Sequence, residues 1–505
     1  MLLRAGDRIH SKETILDPEA DEFLRALQRH FGASRQELME IRARRQEAFD
    51  TVPSFGLDPR PDAPYRTEPP ATPQTGLGQM MLSGPPEPDF LASNGNGPAN
   101  VLVADFDNCL SPTWVNCLEG HACVLNWAMT SSASVKGAPA RRWPIVSVRP
   151  RNWGVEESHF LVDGSPMSAS LFDFGLNIFQ LARAQSNRSL SALFSIGKLD
   201  GCEEAALWAR AFRYAEQHLG IPPGAIQVIV TIDTVSSVVD RDQILAEFED
   251  YAVALECSPV NYLSSFIRSF SSHGRYLLPQ RSDLTARQPF LQVYRELMIH
   301  TCRQHHLIAI SSYSQGHRAG SGGEMCKSEM TRVESELKQE LELGFDTICV
   351  TDPDLIPAAL AAFHEPDNRR LRTRRSVEPC HISLDELLLP CYGKITVPAL
   401  RENVELTLET LERWLAGCGS ATMAEAELRC AQLWQWIRHS APLSGGRRMT
   451  PYLLECLVRD TVARIEGSLA TSSASQFHLA AELLLQSCTD RSYASLADRA
   501  SVYLN

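Results

Sequence analysis

The sequence predicts an α/β protein built around a closed (β/α)8 barrel, with an N-terminal helical segment and an all-helical C-terminal domain. Three observations lead there. From residue 99 onward, short apolar runs alternate with amphipathic helical stretches, the pattern of parallel β/α units. The runs are numerous and consecutive, which favours a closed barrel over an open sheet. Asp107, Arg149, Asp200, Asp233, Ser312 and Asp352 each stand where one of these runs ends, and the C-terminal strand ends of a β/α barrel carry its active site.

The elements follow in order. Asp17 can cap a first helix, Pro18 suits its first turn, and Leu24, Leu27 and Phe31 share a face before Gly32 stops it. A second, heavily charged helix is expected over about residues 35–48. Residues 53–98 are rich in Pro, Gly and Asn, with Pro69-Pro70 and Asn94-Gly95-Asn96-Gly97, and read as a long loop or linker. The expected strands are 100–107, 145–149, 192–200, 226–233, 252–257, 307–312 and 347–352. Helical patterns lie between several of them, at 203–219, 240–251, 288–305 and 330–343. Beyond residue 395 only helical spacing remains, at 400–415, 426–439, 451–465 and 476–486. The expected domains are therefore 1–52, 53–98, 99–394 and 395–505. Trp414, Trp434 and Trp436 are expected in the core of the last of these.

Composition excludes several classes of function. Hydrophobic residues make up 44% and charged residues 22%, an ordinary globular balance. The net charge of −13 argues against nucleic acid as partner, because phosphate backbones call for clustered Lys and Arg. Fourteen cysteines with no C-x-x-C pair are too sparse for a disulfide scaffold and read as reduced thiols of a cytoplasmic protein. No apolar run reaches the roughly 18 residues of a membrane span, so no membrane partner is expected.

Several motifs together resemble the malate synthases of the shorter, A-type class over nearly the whole chain. They are V-A-D-F-D-N-C-L-S-P-T-W-V-N at 103–116, V-R-P-R-N-W at 148–153, S-L-F-D-F-G-L at 170–176 and L-G-I-P-P-G-A-I at 219–226. G-F-D-T-I-C-V-T-D-P-D-L at 344–355 and A-Q-L-W-Q-W-I at 431–437 continue the series. The resemblance implies a TIM barrel with helical flanks. It also implies a Claisen-type condensation in which acetyl-CoA and glyoxylate give malate and free CoA, with Mg²⁺. Such chemistry needs a base for a weakly acidic C–H, a cation for the developing oxyanion, and a metal that chelates the oxo acid through hard oxygens.

Carried over residue by residue, the resemblance makes Arg149 the catalytic arginine. Where the family has I-E-T, this chain has Ile232-Asp233-Thr234, so Asp233 takes the position of one metal ligand, with a shorter reach. The second ligand position, an Asp in G-R-W-D-Y, falls on the neutral Asn261 of Ser258-Pro259-Val260-Asn261-Tyr262. Glu256 could substitute, but an extended chain would turn Glu256 and Asn261 to opposite faces. The family's catalytic base, an Asp in M-E-D-A-A-T-A-E, falls on Thr422 without a gap and on Glu425 with one, which makes Glu425 the candidate base. Asp107, Phe172, Asp173 and Val260 are expected to line the substrate site. Ser311, Ser312 and Tyr313 stand in place of a M-G-G-M-A run at the oxo-acid pocket. Pro353 follows an Asp where the family has a His near CoA.

Three readings follow. The first is an enzyme of altered specificity that joins an acyl-CoA or carrier thioester to a 2-oxo acid, or runs the reverse, in a specialised biosynthetic pathway. The second is a catalytically silent homologue that binds a metabolite or partner protein. The third is a metal-independent acyl-CoA lyase or hydrolase.

Overall fold

A computed structural model of the 505-residue chain describes residues 11–51, 77–132, 143–184, 191–314, 327–363, 383–466, 474–491 and 493–504. The barrel strands are β1 (Met80–Gly84), β2 (Val101–Asp105), β3 (Ile145–Arg149), β6 (Ala192–Ile196), β7 (Ile226–Ile232), β8 (Ala252–Cys257), β9 (Ile308–Tyr313) and β10 (Thr347–Val350). They close in the order β1-β10-β9-β8-β7-β6-β3-β2, and every pair is parallel. A two-stranded hairpin, β4 (Glu156–Val162) with β5 (Ser165–Ser168), stands apart from the barrel.

The side chains alternate as a barrel requires. Met81, Val101, Val103, Leu193, Ile229, Val253, Ile310 and Cys349 fill the interior. Their strand neighbours Met80, Leu82, Leu102, Ile348 and Val350 pack outward. Both sets are apolar, so these strands read as continuous hydrophobic runs.

The stretch 53–98 is not wholly a linker: β1 and helix α3 (Pro88–Asn94) lie inside it, and the barrel begins at residue 80. The run Met80-Met81-Leu82 is short and followed by Ser83-Gly84-Pro85-Pro86, so its neighbours hide it. What makes it a strand is pairing on both edges, with β2 and β10. The remainder of that stretch, 53–76, lies outside the described residues.

The N-terminal segment opens with a single turn, α1 (Lys12–Ile15), and then one unbroken helix, α2 (Pro18–Thr51). Gly32 does not stop it. A helical Gly costs about 1 kcal/mol, and tertiary contacts outweigh that here. Phe23, Leu24, Leu27 and Phe31 are buried in the main core. Beyond the glycine, Arg35 pairs with Glu156, Arg42 with Glu204 and Arg45 with Glu203.

Helix α2 lies against α5 (Ala169–Ala184), and the crossing explains one motif residue. A Cβ on Gly175 would stand 2.6 Å from Leu27 Cδ1 and 2.8 Å from Leu24 Cδ2. Gly175→Ala is therefore expected to cost roughly 1–3 kcal/mol by overpacking, read as a lower midpoint in urea unfolding.

The barrel's outer layer contains α4 (Trp114–Ser132), α6 (Cys202–Leu219), the short pair α7 (Val235–Val239) and α8 (Arg241–Glu247), and α9 (Pro259–Ser269). It continues with α10 (Pro289–Gln304), α11 (Lys327–Leu343) and α12 (Ile356–Phe363). Helix α6 ends at Gly220, whose φ of 64° is the left-handed cap expected there.

The C-terminal helices are α13 (Val397–Leu415), α14 (Met423–Arg438), α15 (Pro451–Glu466), α16 (Ala474–Thr489) and α17 (Leu496–Ser501). They enclose a separate apolar core that includes Trp414 and Trp436. The three tryptophan N–H groups donate to the carbonyls of Leu110, Asp490 and Leu278, so these rings are packed and satisfied. The Trp414 bond and the Ser420 amide bond to the Cys109 carbonyl tie this domain to the loop after β2. None of the described cysteines is disulfide-bonded, and no helix among the described residues is long and apolar enough to cross a membrane.

Candidate active site

Arg149 is the last residue of β3, in register with Asp105 at the end of β2. Its Nη1 donates to Asp105 Oδ2 at 3.0 Å and its Nη2 to Glu256 Oε2 at 2.5 Å. Burial works against the guanidinium charge, but Glu256 and Asp105 outweigh it and hold the pKa above the ordinary arginine value. The Nε atom is buried and has no hydrogen-bond partner. Asp105 also accepts from Ser83 Oγ and from the amides of Asp107 and Asn108, and Glu256 from Thr231 Oγ1. Both carboxylates are 1% exposed, so their orientation is fixed by these bonds.

A second cation, Lys198, stands just past the end of β6 and was missed by the sequence reading, which ran that strand on to residue 200. Its backbone has a φ of 51°, in the left-handed region. Its Nζ pairs with Asp107 Oδ2 at 2.8 Å, and its amide donates to Asp233 Oδ1 at 2.8 Å. Asp107 further accepts from the Asn152 amide and side chain. Burial would raise the Asp107 pKa, but Lys198 and Asn152 bring it below the ordinary carboxylate value. A polar residue one Gly beyond an apolar run was the signal available for Lys198.

Asp233 and Asn261 do meet: Asn261 Nδ2 donates to Asp233 Oδ2 at 2.9 Å. The chain turns at Ser258-Pro259 into α9, so the extended-chain argument about Glu256 and Asn261 fails. Glu256 points to Arg149 from the strand, and Asn261 reaches Asp233 from the first turn of the helix. Burial pushes the Asp233 carboxyl up to about 6, against the lowering effect of its hydrogen bonds.

The titration of Asp233 has a sign that can be tested. Its folded pKa is raised, so the folded state holds the proton more tightly than the unfolded chain. The penalty is absent below the ordinary value of 3.8, grows toward about 6, and is full above it. Asp233→Asn is expected to gain up to about 3 kcal/mol of stability at pH 7.5 relative to its effect at pH 4. Denaturation curves of both proteins at the two pH values check this; an equal difference at both would overturn it.

Asp105, Asp107, Asp233 and Glu256 outnumber Arg149 and Lys198, a charge balance that would welcome a divalent cation. The donors themselves do not fit. Asp105 and Glu256 are committed to Arg149, Asp107 to Lys198, and Asn261 turns its N–H group, not its oxygen, toward Asp233. Among the described residues, the cluster of three ligand-type side chains close enough to share an ion is Cys202, Glu203 and Asp240, away from these carboxyls and paired with Arg45. One carboxyl beside a neutral amide is too few hard donors for Mg²⁺.

The other expected site residues separate into those near the mouth and those that are not. Phe172 and Asp173 are sealed in α5 with no exposed surface, so neither can line a substrate site as expected. Phe172 packs against Trp114 and Phe160. Asp173 accepts from the amide, Nε and Nη2 of Arg151 and lies 3.3 Å from His121. Ser311 faces the helical layer and donates to Glu340 of α11, and Tyr313 donates to Glu336 of the same helix. Both point away from the barrel axis, because odd positions of β9 alternate with the interior Ile310. Ser312 shares the interior parity and pairs in register with Cys349. Val260 is buried at the start of α9 beside Asn261. Pro353 is exposed, in a short 3-10 turn capped by Asp352.

Glu425 sits in the first turn of α14, in a two-bonded ion pair with Arg281 at 2.9 and 3.0 Å. Burial would raise its pKa, but Arg281 brings it below the ordinary value. A carboxylate so held is a weak proton acceptor, and nothing here poises it as a base. Thr422, the alternative position, is the residue that precedes that helix.

A parallel barrel whose strand ends gather an arginine, a lysine and four carboxyls defines a TIM-barrel protein with its charged site at the C-terminal face. The chain belongs to the malate synthase family. Family models match over residues 145–390 (malate synthase, TIM barrel domain), 394–501 (malate synthase, C-terminal) and 10–60 (malate synthase, N-terminal domain). A malate synthase of Myxococcus xanthus is 31% identical, covering 92% of this chain and 89% of the relative. A glyoxysomal malate synthase of Zea mays is 30% identical, covering 90% and 86%. A Haloferax volcanii malate synthase structure, a pyruvate/acetyl-CoA ternary complex, aligns with a TM-score of 0.46 at 13% identity, covering 80% of this chain and 97% of that one.

Proposed function

We propose that this protein is an enzyme of altered specificity that joins an acyl thioester to a 2-oxo acid by a Claisen-type step. The observation that carries this reading is Arg149. It is a permanent cation at a barrel strand end, braced by two buried carboxylates. Arginine N–H groups aimed at a fixed point suit a developing oxyanion.

In this reading a base removes a proton from the carbon next to the thioester carbonyl. The resulting carbanion attacks the oxo-acid carbonyl, a C–C bond forms, and the carbonyl oxygen becomes an alkoxide facing Arg149. The alkoxide takes up the proton that the base removed, and water then cleaves the thioester to give the carboxylic acid and the free thiol. Asp233 is the better base, since its carboxyl titrates at about 6, is ionised at neutral pH, and binds a proton more strongly than Glu425. Membership of the family supports the reaction class. The exchange of two glycines and a Met for Ser311, Ser312 and Tyr313 supports a changed acceptor pocket, and Ser312 is the one of the three that shares the parity of the barrel interior.

The test follows free thiol release from acetyl-CoA and other acyl-CoAs with a panel of 2-oxo acids, with and without Mg²⁺. Release with at least one pair, persisting in EDTA, is expected from the donor set described above. No release with any pair would overturn the proposal. One observation favours the second reading, a silent homologue. Glu256 adds a second carboxylate to Arg149, so the cluster carries more negative than positive charge in the ground state. That reading predicts calorimetric binding of a thioester or oxo acid without turnover.

A further inference from the structure

A cavity of about 350 Å³ lies between α2, the end of α9 and the C-terminal domain, apart from the Arg149 cluster. Arg42, Arg45, Arg268, Arg438 and Arg491 line it, and the acids that share the lining are Asp50 and Asp200. Such a surplus of guanidinium groups runs against a chain whose net charge is −13.

The five arginines fall into two groups. Arg42 and Arg45 are structural: Arg42 holds Glu204, and Arg45 holds Glu203 and Asp240. Arg45 also presses on Gly201, where a Cβ would overlap its guanidinium; with a φ of +144°, that position needs glycine twice over. Arg268, Arg438 and Arg491 form no ion pair among the described residues. Asp50 is already engaged by the hydroxyls of Ser271 and Ser272. Trp434 and Tyr493 supply an aromatic wall.

We propose that this cavity binds a phosphorylated small molecule. Three guanidinium forks without an ion pair among the described residues match the bidentate geometry of phosphate oxygens, the aromatic wall suits an organic portion, and the volume is that of a small ligand site. The site is connected to the barrel mouth, because Arg42 Nη2 donates to the Lys198 carbonyl at 3.1 Å. The phosphate could be carried by the thioester's own carrier or by a separate metabolite. The inference stands apart from the catalytic reading and does not require turnover.

The test is isothermal titration of the full chain with inorganic phosphate, with KCl at matched ionic strength as reference. Saturable binding is expected, and the Arg438→Gln/Arg491→Gln double variant, altered at two exposed side chains, should bind at least roughly tenfold more weakly. Arg459→Gln, on α15 and away from the cavity, should leave binding unchanged. Arg149→Ala, titrated at a temperature where circular dichroism shows it folded, should also leave phosphate binding unchanged, which separates failure here from failure of the catalytic proposal. Displacement of phosphate by CoA would assign the ligand to the carrier; its absence would assign it to a separate metabolite. No saturable heat, or equal binding in the double variant, would overturn the inference.

Discussion

Arg149→Ala is expected to remove turnover and a large part of the stability together. The substitution leaves Asp105 and Glu256, each 1% exposed, without their shared counter-charge. Breaking a buried pair by deleting one partner costs roughly 3–5 kcal/mol. Here one residue serves two carboxylates, so the upper part of that range is expected. Loss of an oxyanion donor costs about 10²–10³ in kcat. The two effects are separated by measuring thiol release at a temperature where circular dichroism shows the variant folded. Arg149→Lys keeps a charge but cannot reach both carboxylates at once, and should recover part of the stability with little of the rate. A stability loss below about 1 kcal/mol in Arg149→Ala would mean that the carboxylates are not held by this guanidinium. Full turnover would end the proposed role.

The second large effect is expected at Arg151. Its guanidinium donates to both oxygens of Asp173 and to Glu157, and all three side chains are buried. Arg151→Met leaves two carboxylates in the protein interior without their guanidinium, with His121 beside Asp173 and His159 beside Glu157. The expected cost is again roughly 3–5 kcal/mol, read from denaturation at pH 7. The pH dependence supplies a separate test. Burial would raise the Asp173 pKa, but Arg151 and His121 hold it well below the ordinary value of 3.8. A depressed folded pKa means the contribution is full above about pH 4 and is lost as pH falls toward the folded value. Asp173→Asn should therefore flatten the acid limb of the stability profile. A profile that falls with the same slope would show that Asp173 titrates normally.

This cluster also explains why S-L-F-D-F-G-L is a poor guide to the substrate site. Its Phe172 and Asp173 build the interface of α5 with β3 and α4, and its Gly175 admits α2. A motif can carry the family signature because packing constrains it, without touching a ligand.

Much of the fold was legible in the sequence because its strands are continuous apolar runs ending in polar residues. Strand β1 was the exception, since so short a run among Gly and Pro has no local signal stronger than its surroundings. Gly32 misled for a related reason: propensity predicts a helix end, but contacts on both sides of the residue hold the helix together.

The sequence by itself determined the barrel, the helical flanks, the family, and Arg149 and Asp233 as strand-end residues. Only the tertiary structure decided what those residues face. Arg149 meets Asp105 and Glu256 because neighbouring strands are in register, and register is a property of pairs of strands. Lys198 enters the site because its left-handed backbone turns the amide to Asp233 while its side chain reaches Asp107. Glu425 is occupied because Arg281, far away in the chain, arrives beside it. Charge and hydrophobic pattern are local and survive in one dimension; the partner of a buried charge is set by folding.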